Sequence, residues 1–362
     1  MELLRRILSQ PTAPFCEQRV AAEVTAWATE QGFVVEADAF GNLSISYQRG
    51  RRSTEWVVHA HLDHPGFVVR RRQGRRAWCE FRGGVQKDYF VGARVRFFAG
   101  EDVVRGTVQT VRRDKASGFL HCRVELDAPA SLSAGDFGVW DVTAFCKRGK
   151  YIDALACDDL ACVAATLSML ERLAADKIDA HATVWLTRAE EVGFGGLLAA
   201  IRAGTLNPDA WYIGLETSKA MGPAQLGAGV AIRVGDRLMG FDPALGFALA
   251  QTAGTLAKAD STFHFSRALM DGGGTETTAL VAAGYRAAAL ALPLGNYHNM
   301  GSRETIAPER IALGDYHAMI RLLVAAVSGD SPLAATQNLQ KRFAQGEKSL
   351  RAYWKQSPIC LQ

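Results

Sequence analysis

The sequence predicts an α/β fold, in which a mixed central sheet carries helices on both faces and a small all-β domain is inserted into the chain. Two observations predict it. Before about residue 65 and after about residue 150, short apolar runs typical of strands alternate with segments of helical periodicity. Between these parts, short β-rich pieces follow one another without helical periodicity and are separated by Gly, Asp and Lys turns. A chain of 362 residues has ample material for two such domains.

The first predicted elements lead to a strand that ends in histidines. An amphipathic helix over 17–30 ends at Gly32, and a β-hairpin follows over 33–37 and 43–47. Residues 55–59 (EWVVH) fit a central strand, and the sequence continues as AHLDHPG. We predict that the larger domain comprises 1–64 and 150–328, with a barrel-like insert at 65–149 and an extension at 329–362.

After the insert, strands and helices alternate again. The predicted strands are 181–186, 211–215, 229–234, 261–265 and 286–292. The predicted helices are 159–174, 244–256, one opened by the glycine-rich turn 271–275, and one running from Pro308 in its first turn to about residue 327. The remaining tail is basic and fits either a surface helix or an oligomer contact.

Composition and charge exclude several classes of protein. The formal net charge is +4, and the basic clusters at 49–52 and 70–76 lack interleaved aromatic residues, so we expect solvated loops and no nucleic-acid partner. No apolar run approaches the length of a membrane span, and the N-terminal segment has charges inside its apolar run, so we expect no membrane association and a cytoplasmic location. The seven cysteines form no CxxC, which favours reduced thiols over a disulfide framework or a cysteine zinc site.

The stretch TRAEEVGFGG, residues 187–196, carries the most informative signal. It follows an apolar strand and places Glu190 and Glu191 where that strand opens into a loop, which is where α/β enzymes bind ligands. A pair of glutamates is also common on solvated helix faces. A glycine-rich turn could instead cradle phosphate, but no Lys follows the glycines and no GxGxxG spacing is present.

Other predicted strands supply partners for this pair. Metal-competent side chains follow four predicted strands, and an Asp pair lies at a helix entry: His61 and Asp63, Glu190 and Glu191, Glu216, His298, and Asp158-Asp159. Such residues would meet at one edge of a sheet, and they fit a two-metal hydrolase, which needs one bridging carboxylate and a few N and O ligands for each cation. The mixed N/O set suits zinc, cobalt or manganese.

The motifs together resemble a known family. The series HLDHPGF, ALACDDLACV, TRAEEVGFGG, GLETS, GGGTETTAL and NYHN is similar to that of the glutamyl and deblocking metallo-aminopeptidases, which form tetrahedral assemblies. The resemblance extends to about residue 327 and includes the β-rich insert. It implies a zinc-exopeptidase-like fold, two divalent metal ions per subunit with zinc as the first expectation, peptide substrates and a homo-oligomer.

The resemblance also implies a role for each site residue. Asp158 would bridge the two metals, His61 and Glu216 would complete one site, and Glu191 and His298 would complete the other. Asp63 would hold the His61 ring. Glu190 would be the general base for hydrolysis by metal-activated water.

The sequence departs from the family pattern at several positions. The family usually has Glu at the position of His64, Gln at Ala189, and Asp at Glu216 and Glu276, and an Arg normally follows the Asp pair where Leu160 stands. Glu216 has a longer side chain than the usual Asp, so we expect a shift in the choice of metal or in the spacing of the metals. The changes at His64 and Leu160 bear on substrate preference.

Nearby polar residues have plainer interpretations. We expect one of His59 and His64 to lie on the opposite strand face and the other to flank the site. Glu276 fits a solvated carboxylate at a helix start, and Asp159 fits an N-cap better than a ligand.

The sequence therefore predicts an aminopeptidase with two metal ions. A related amidohydrolase or deacylase acting on a non-peptide amide is the alternative within enzymes, because the metal chemistry does not encode the acyl group. A catalytically degenerate binding protein is the alternative outside enzymes.

Overall fold

The structure, a computed structural model, describes residues 1–51 and 54–356. The α-helices are α1 Glu2–Leu8, α2 Gln18–Gln31, α3 Cys157–Ala175, α4 Gly195–Ala203, α5 Pro243–Ala259, α6 Glu276–Ala282, α7 Leu313–Val327 and α8 Pro332–Gln356. The strands before the end of the insert are β1 Val35–Ala37, β2 Leu43–Gln48, β3 Trp56–His61, β4 Gly66–Gln73, β5 Arg76–Arg82, β6 Arg94–Ala99, β7 Asp102–Arg113, β8 Leu120–Leu126, β9 Phe137–Trp140 and β10 Phe145–Arg148. The later strands are β11 Tyr151–Ala154, β12 His181–Thr187, β13 Trp211–Lys219, β14 Val230–Asp236, β15 Phe265–Met270, β16 Arg286–Leu294 and β17 Glu309–Ala312.

The central sheet is mixed, as predicted. Its strand order is β1-β2-β12-β3-β13-β16-β14-β15. The four middle strands β12, β3, β13 and β16 are parallel to one another, whereas β2 and β14 pair antiparallel with their edges. The carboxyl ends of the parallel strands therefore lie at one edge of the sheet, where ligands bind in open α/β sheets.

Helices cover both faces of this sheet. Successive side chains of a strand point to opposite faces, and in β3 Val58 joins the large core with α1, α2, α3, α5 and α7, while Val57 joins a smaller core with α4 and α6. Strands buried on both sides explain why the sequence shows continuous apolar runs instead of alternation. The predicted fold class is confirmed.

The β-rich segment forms a closed barrel in the order β4-β5-β8-β7-β6-β9. Its interior is filled with aromatic rings, and the ring centroid of Phe67 lies 4.8 Å from those of both Phe81 and Trp140. Such rings bury a large apolar area in a small barrel. The division of the chain into domains at residues 65, 150 and 329 stays a prediction.

Two predicted elements are corrected by the structure. The segment after Pro308 begins as strand β17, which pairs antiparallel with β11, and α7 starts only at Leu313. Long-range pairing overrides the helix-start signal of the proline. The predicted strand 261–265 lies later, at β15, because Asp260 accepts hydrogen bonds from the backbone and hydroxyl of Thr262 and forms a turn.

The basic tail forms α8, which packs against α5. Arg52 of the first basic cluster and Cys360 lie outside the described residues. In the described ranges, no single helix is long and apolar enough to cross a membrane. Among the described helices, only α7 and α8 taken together, with a bend of 79° between them, have the length and composition of a membrane span.

Candidate functional site

A cleft of about 560 Å³ opens at the carboxyl edge of the parallel strands. Its walls come from β13, β14, the turn after β12, the turn after β16 and the glycine-rich loop before α6. The site residues predicted from the sequence line this cleft or lie directly behind the lining residues: His61, Asp63, Asp158, Glu190, Glu191, Glu216 and His298.

One cluster of ligand-type atoms joins β3, β13 and the start of α3. Gly214 of β13 pairs with His59 of β3, so two residues further along Glu216 and His61 lie at the same level on the same face. His61 Nε2 lies 3.3 Å from Asp158 Oδ1 and 3.6 Å from Glu216 Oε1. The sheet register therefore sets the spacing of this cluster.

A second cluster lies on the other side of Asp158. His298 Nε2 is 3.5 Å from Asp158 Oδ2 and 3.2 Å from Glu191 Oε1. Asp158 thus presents one oxygen to each cluster. Each cluster has ligand atoms close enough together to hold a metal ion.

Both histidine rings are held so that Nε2 stays free for the clusters. His61 Nδ1 donates to the backbone carbonyl of Asp63 at 3.1 Å, and His298 Nδ1 donates to the carbonyl of Gly84 at 2.7 Å. Gly84 belongs to the barrel segment, so the insert orients one of the two rings. A hydrogen bond to the other ring nitrogen is the usual way in which proteins prepare a ligating imidazole.

The adjacent glutamates reach the cleft because the backbone turns sharply between strand and helix. Glu190–Val192 forms a 3-10 turn preceded by Ala189 at φ 56° and followed by Gly193 at φ 107°. Ala189 and Gly193 take the left-handed conformation on either side of the glutamates, whereas Gly195 and Gly196 belong to α4. Glu190 Oε2 lies 4.0 Å from His61 Nε2, and Glu190 belongs to neither candidate metal set.

Asp63 lies behind both glutamates. Its carboxylate accepts hydrogen bonds from the backbone N–H of Glu190 at 2.9 Å and of Glu191 at 3.1 Å. Oδ1 is also 3.5 Å from His61 Nδ1. This single buried side chain therefore connects the end of β3 to the turn that carries the glutamate pair.

Asp159 does not cap α3, contrary to the prediction. Its carboxylate accepts from the backbone N–H of Thr217 at 3.0 Å and of His61 at 3.4 Å, and it also lies within the first candidate metal set. The backbone at Asp158 and Asp159 is not helical, so the side chain points across the sheet edge and not along the helix axis. It holds β3 and β13 in register at the site.

Glu309 is a site residue that the sequence did not reveal. Its fully buried carboxylate accepts from the backbone N–H of Asp158 at 2.8 Å and of His298 at 2.7 Å. It therefore links Asp158, which both clusters share, to His298 of the second cluster. Nothing in its local sequence distinguishes it from a surface glutamate, because both partners are distant in the chain.

Two nearby histidines and Glu276 have structural contacts. By alternation along β3, His59 shares a face with His61 and does not lie on the opposite face. Its Nδ1 is 3.3 Å from Glu276 Oε2, to which Thr187 also donates, so Glu276 is buried and bonded where a solvated residue was expected. His64 flanks the site and lies 2.5 Å from the carbonyl of Asp158 through Nδ1.

The electrostatics show an excess of buried negative charge. Burial and the neighbouring Asp158 raise the pKa of Glu216 to about 7, and burial with Glu216 and Glu191 raises that of Glu190 well above its usual range. Burial lowers the pKa of His61, but the surrounding carboxylates outweigh it and hold the pKa well above its ordinary value. Despite burial, the two neighbouring histidines lower the pKa of Asp158. A divalent cation would neutralise this excess.

The residues present fit a metal centre. His61 Nε2, Asp158 Oδ1 and Glu191 Oε1 are buried atoms without a hydrogen-bond partner among the described residues, and all three face the clusters. Buried polar atoms are rarely left without partners. Imidazole and carboxylate donors suit zinc, cobalt or manganese, so ligation would satisfy atoms that the protein itself leaves unpaired.

Arg233 of β14 forms part of the cleft wall. It is 2% exposed, and its guanidinium donates to Ser218 Oγ at 3.0 Å and to the carbonyl of Met270 at 3.3 Å. Its Nε has no partner in the described part of the chain. A buried guanidinium bonded only to neutral groups has unused capacity for an anion.

Comparison with known proteins gives a consistent family. The sequence model of the M42 glutamyl aminopeptidase family matches residues 41–322. Among solved structures, a TET aminopeptidase from a marine sediment Thaumarchaeota archaeon has a TM-score of 0.76 at 18% identity, covering 93% of this chain and 98% of that one. An aminopeptidase from Desulfurococcus kamchatkensis gives 0.74 at 19% identity with 93% and 96% covered. The TET1 peptidase of Pyrococcus horikoshii gives 0.73 at 18% identity with 90% and 98% covered. No curated protein sequence matches the chain.

Proposed function

This chain belongs to the M42 glutamyl aminopeptidase family and is a hydrolytic aminopeptidase, and from that premise we propose that it works with two divalent metal ions bridged by Asp158. The observation that carries the proposal is the position of Asp158, with Oδ1 toward His61 and Oδ2 toward His298. One carboxylate between two ligand sets is what a two-metal hydrolase requires.

The ligand sets follow from the clusters. His61 and Glu216 would hold one ion with Asp158, and His298 and Glu191 would hold the other. When bound, such ions polarise the scissile carbonyl and lower the pKa of water, and zinc is the first expectation, with cobalt or manganese as alternatives.

Glu190 would move the proton. It lies beside His61 but outside both metal sets, and burial raises its pKa, so its carboxylate has a higher affinity for a proton than an exposed glutamate. Its carboxylate would accept a proton from the attacking water and pass it to the leaving amine. Asp63 would fix the backbone of this residue through the hydrogen bond to Glu190 N.

Changing Glu190→Gln tests the proton role. The amide has nearly the same shape but cannot accept the proton, so turnover of an aminoacyl amide should fall about 10²- to 10⁴-fold while two metal ions remain bound. The measurements are kcat and metal content by elemental analysis, with the exposed Glu36→Gln as the matched control. Full turnover in the variant would contradict the role of Glu190, and wild-type protein without metal would contradict the two-metal proposal. Activity on N-acylated substrates with none on a free N-terminus would favour a deacylase.

Arg233 would select acidic N-terminal residues. The family description names glutamyl substrates, and the guanidinium in the cleft wall offers the matching charge. Arg233→Met should reduce kcat/KM on a glutamyl anilide by about tenfold or more, with a much smaller change on a leucyl anilide, because only the former loses a charge-assisted contact. Equal losses on both substrates would contradict a role in selection.

Assembly and location remain proposals. The P. horikoshii neighbour is described as assembling into a tetrahedron or an octahedral shell, and we expect this chain also to form a homo-oligomer that takes peptide substrates in the cytoplasm. Light scattering of the purified full-length protein would measure the assembly size.

A further inference from the structure

The outer face of the barrel carries an ordered set of arginines. In the barrel register Arg71 pairs with Trp78, Trp78 pairs with Arg123, and Arg123 pairs with Thr110, so these four side chains form one row across β4, β5, β8 and β7. Directly opposed residues in a sheet lie close together and point to the same face. The hydrogen-bonded register of four strands therefore sets this arrangement, which does not depend on a flexible loop.

A second row extends the same face. Arg112 pairs with His121, two residues along from Thr110 and Arg123 respectively. The two rows enclose a concavity lined by Arg71, Trp78, Thr110, Arg112, His121 and Arg123, together with Arg70. Glu80 lies opposite His121 in the second row, but its carboxylate is paired with Arg70 and Arg82. Side chains from adjacent rows of a sheet are within reach of one small ligand.

Arg71, Arg112 and Arg123 form no hydrogen bond or ion pair with a carboxylate within residues 1–51 and 54–356. Arg112 and Arg123 form no ion pair or hydrogen bond there, and Arg71 contacts only the Trp78 ring, with its guanidinium carbon 3.9 Å from the ring centroid. Arg70 by contrast is paired with Glu80 at 2.7 Å. Asp114, the acid next to this end of β7, accepts hydrogen bonds from Ser117, and His121 and Arg112 lie near enough to help lower its pKa without bonding to it. Like charges gathered without counter-charges repel one another, which is a cost for the barrel alone.

Thr110 and His121 add two neutral polar side chains to the lining of this concavity. The hydroxyl of Thr110 lies on the exposed face of β7, and Nε2 of His121 is buried without a hydrogen-bond partner among the described residues. A buried unpaired ring nitrogen is costly unless a ligand or water completes it. Cations and neutral donors around one concavity are a recognition pattern for an oxyanion.

We propose that this concavity, the barrel-face arginine site, binds a phosphate-bearing small molecule. Three unpaired guanidiniums offer more donors than one carboxylate can accept, whereas a phosphoryl group presents several oxygens to separate arginines. The cation–π contact holds Arg71 in place over Trp78 before any ligand arrives. The site is separate from the metal centre and does not depend on the aminopeptidase mechanism.

Titration of the metal-loaded, full-length protein with sodium pyrophosphate and with inorganic phosphate tests the proposal. Calorimetry at constant ionic strength, balanced with sodium chloride, should show saturable binding of pyrophosphate. Arg112→Gln and Arg123→Gln should each weaken it about tenfold or more, since each removes a charge-assisted hydrogen bond. Arg113→Gln is the matched control, because this neighbouring arginine donates to the carbonyl of Gly118 and does not line the concavity. It should bind within about twofold of wild type.

The outcomes separate the sources of binding. Pyrophosphate held at the metal centre would bind equally well in wild type, Arg112→Gln and Arg123→Gln, which would overturn the proposal. No saturable binding would also overturn it. Binding of polyglutamate that depends on Arg123, with no binding of either phosphate probe, would overturn the phosphate assignment in favour of an acidic protein partner. Loss of pyrophosphate binding in both variants, with unchanged hydrolysis of an aminoacyl amide, is the expected result.

Discussion

The two halves of the candidate metal centre are built in different ways. His61 and Glu216 lie on adjacent parallel strands, and the sheet register brings them to the same level. Glu191 and His298 instead lie on short turns, where His298 has φ 54°. The first half is therefore set by repeated backbone pairing, and the second depends on individual hydrogen bonds to loop backbone.

The turns of the second half carry a conformational cost. Ala189 and His298 are non-glycine residues with positive φ, each costing about 1 kcal/mol or more. Two buried carboxylates offset it: Asp63 accepts from Glu191 N, and Glu309 accepts from His298 N. The comparison teaches that the half on strands is held by sheet pairing with one charged acceptor, Asp159, between the strands. The half on turns has a charged acceptor behind each turn.

Removing one histidine from each half should give the largest effects. His61→Ala and His298→Ala should each lose one of the two proposed metal ions, and turnover should fall to near background in both, because under the two-metal proposal each half would supply one cation to the same reaction. The ion left in His298→Ala should resist a chelator longer than the ion left in His61→Ala, since its ligands are anchored in the sheet. Elemental analysis after timed dialysis against chelator measures this. Equal release rates would remove the proposed difference between the halves.

Replacing the acceptor behind the second half should have an intermediate effect. In Glu309→Gln an amide NH₂ would face the N–H of either Asp158 or His298, so one turn loses its acceptor. We expect metal affinity about 10- to 100-fold weaker, the usual consequence of losing such a supporting group. A competition titration with a fluorescent chelator measures it, and the exposed Glu304→Gln serves as control. If the two ions bind Glu309→Gln as tightly as wild type, the proposed support is wrong.

The pH dependence of stability should give the smallest effect. In metal-free protein the pKa of Glu216 is raised to about 7 from 4.5, so the folded state binds its proton more tightly than the unfolded chain. The pKa of His61 and of His298 is raised as well. Stability from these groups is present at low pH and is lost as pH rises through the folded pKa values.

The chelated protein should therefore melt at a lower temperature at pH 8 than at pH 6, by on the order of a few degrees. Metal binding needs deprotonated ligands, so the added stability from metal should grow over the same range. Thermal unfolding with and without chelator at both pH values checks the sign. A chelated protein that is more stable at pH 8 would show that other groups control its stability.

The fold class could be read from the sequence because its signals are local. Apolar runs such as residues 55–59 and 181–186 need no partner to be recognised as buried strands, and a change from helical to β-type periodicity marks the insert. The register, the strand order and β17 could not be read, since a strand of four residues after a proline is defined by its pairing with β11.

The sequence by itself determined which residue types follow the strands: two histidines and several carboxylates at positions that a sheet brings to one edge. Only the tertiary structure decided which buried side chains hold these histidines and carboxylates in place. Asp159 bonds across two strands, and Glu309 joins Asp158 to His298 although it lies 151 positions from the former in the chain. The physical reason is that ligand chemistry belongs to single side chains, whereas the satisfaction of buried backbone N–H groups depends on which distant segments meet.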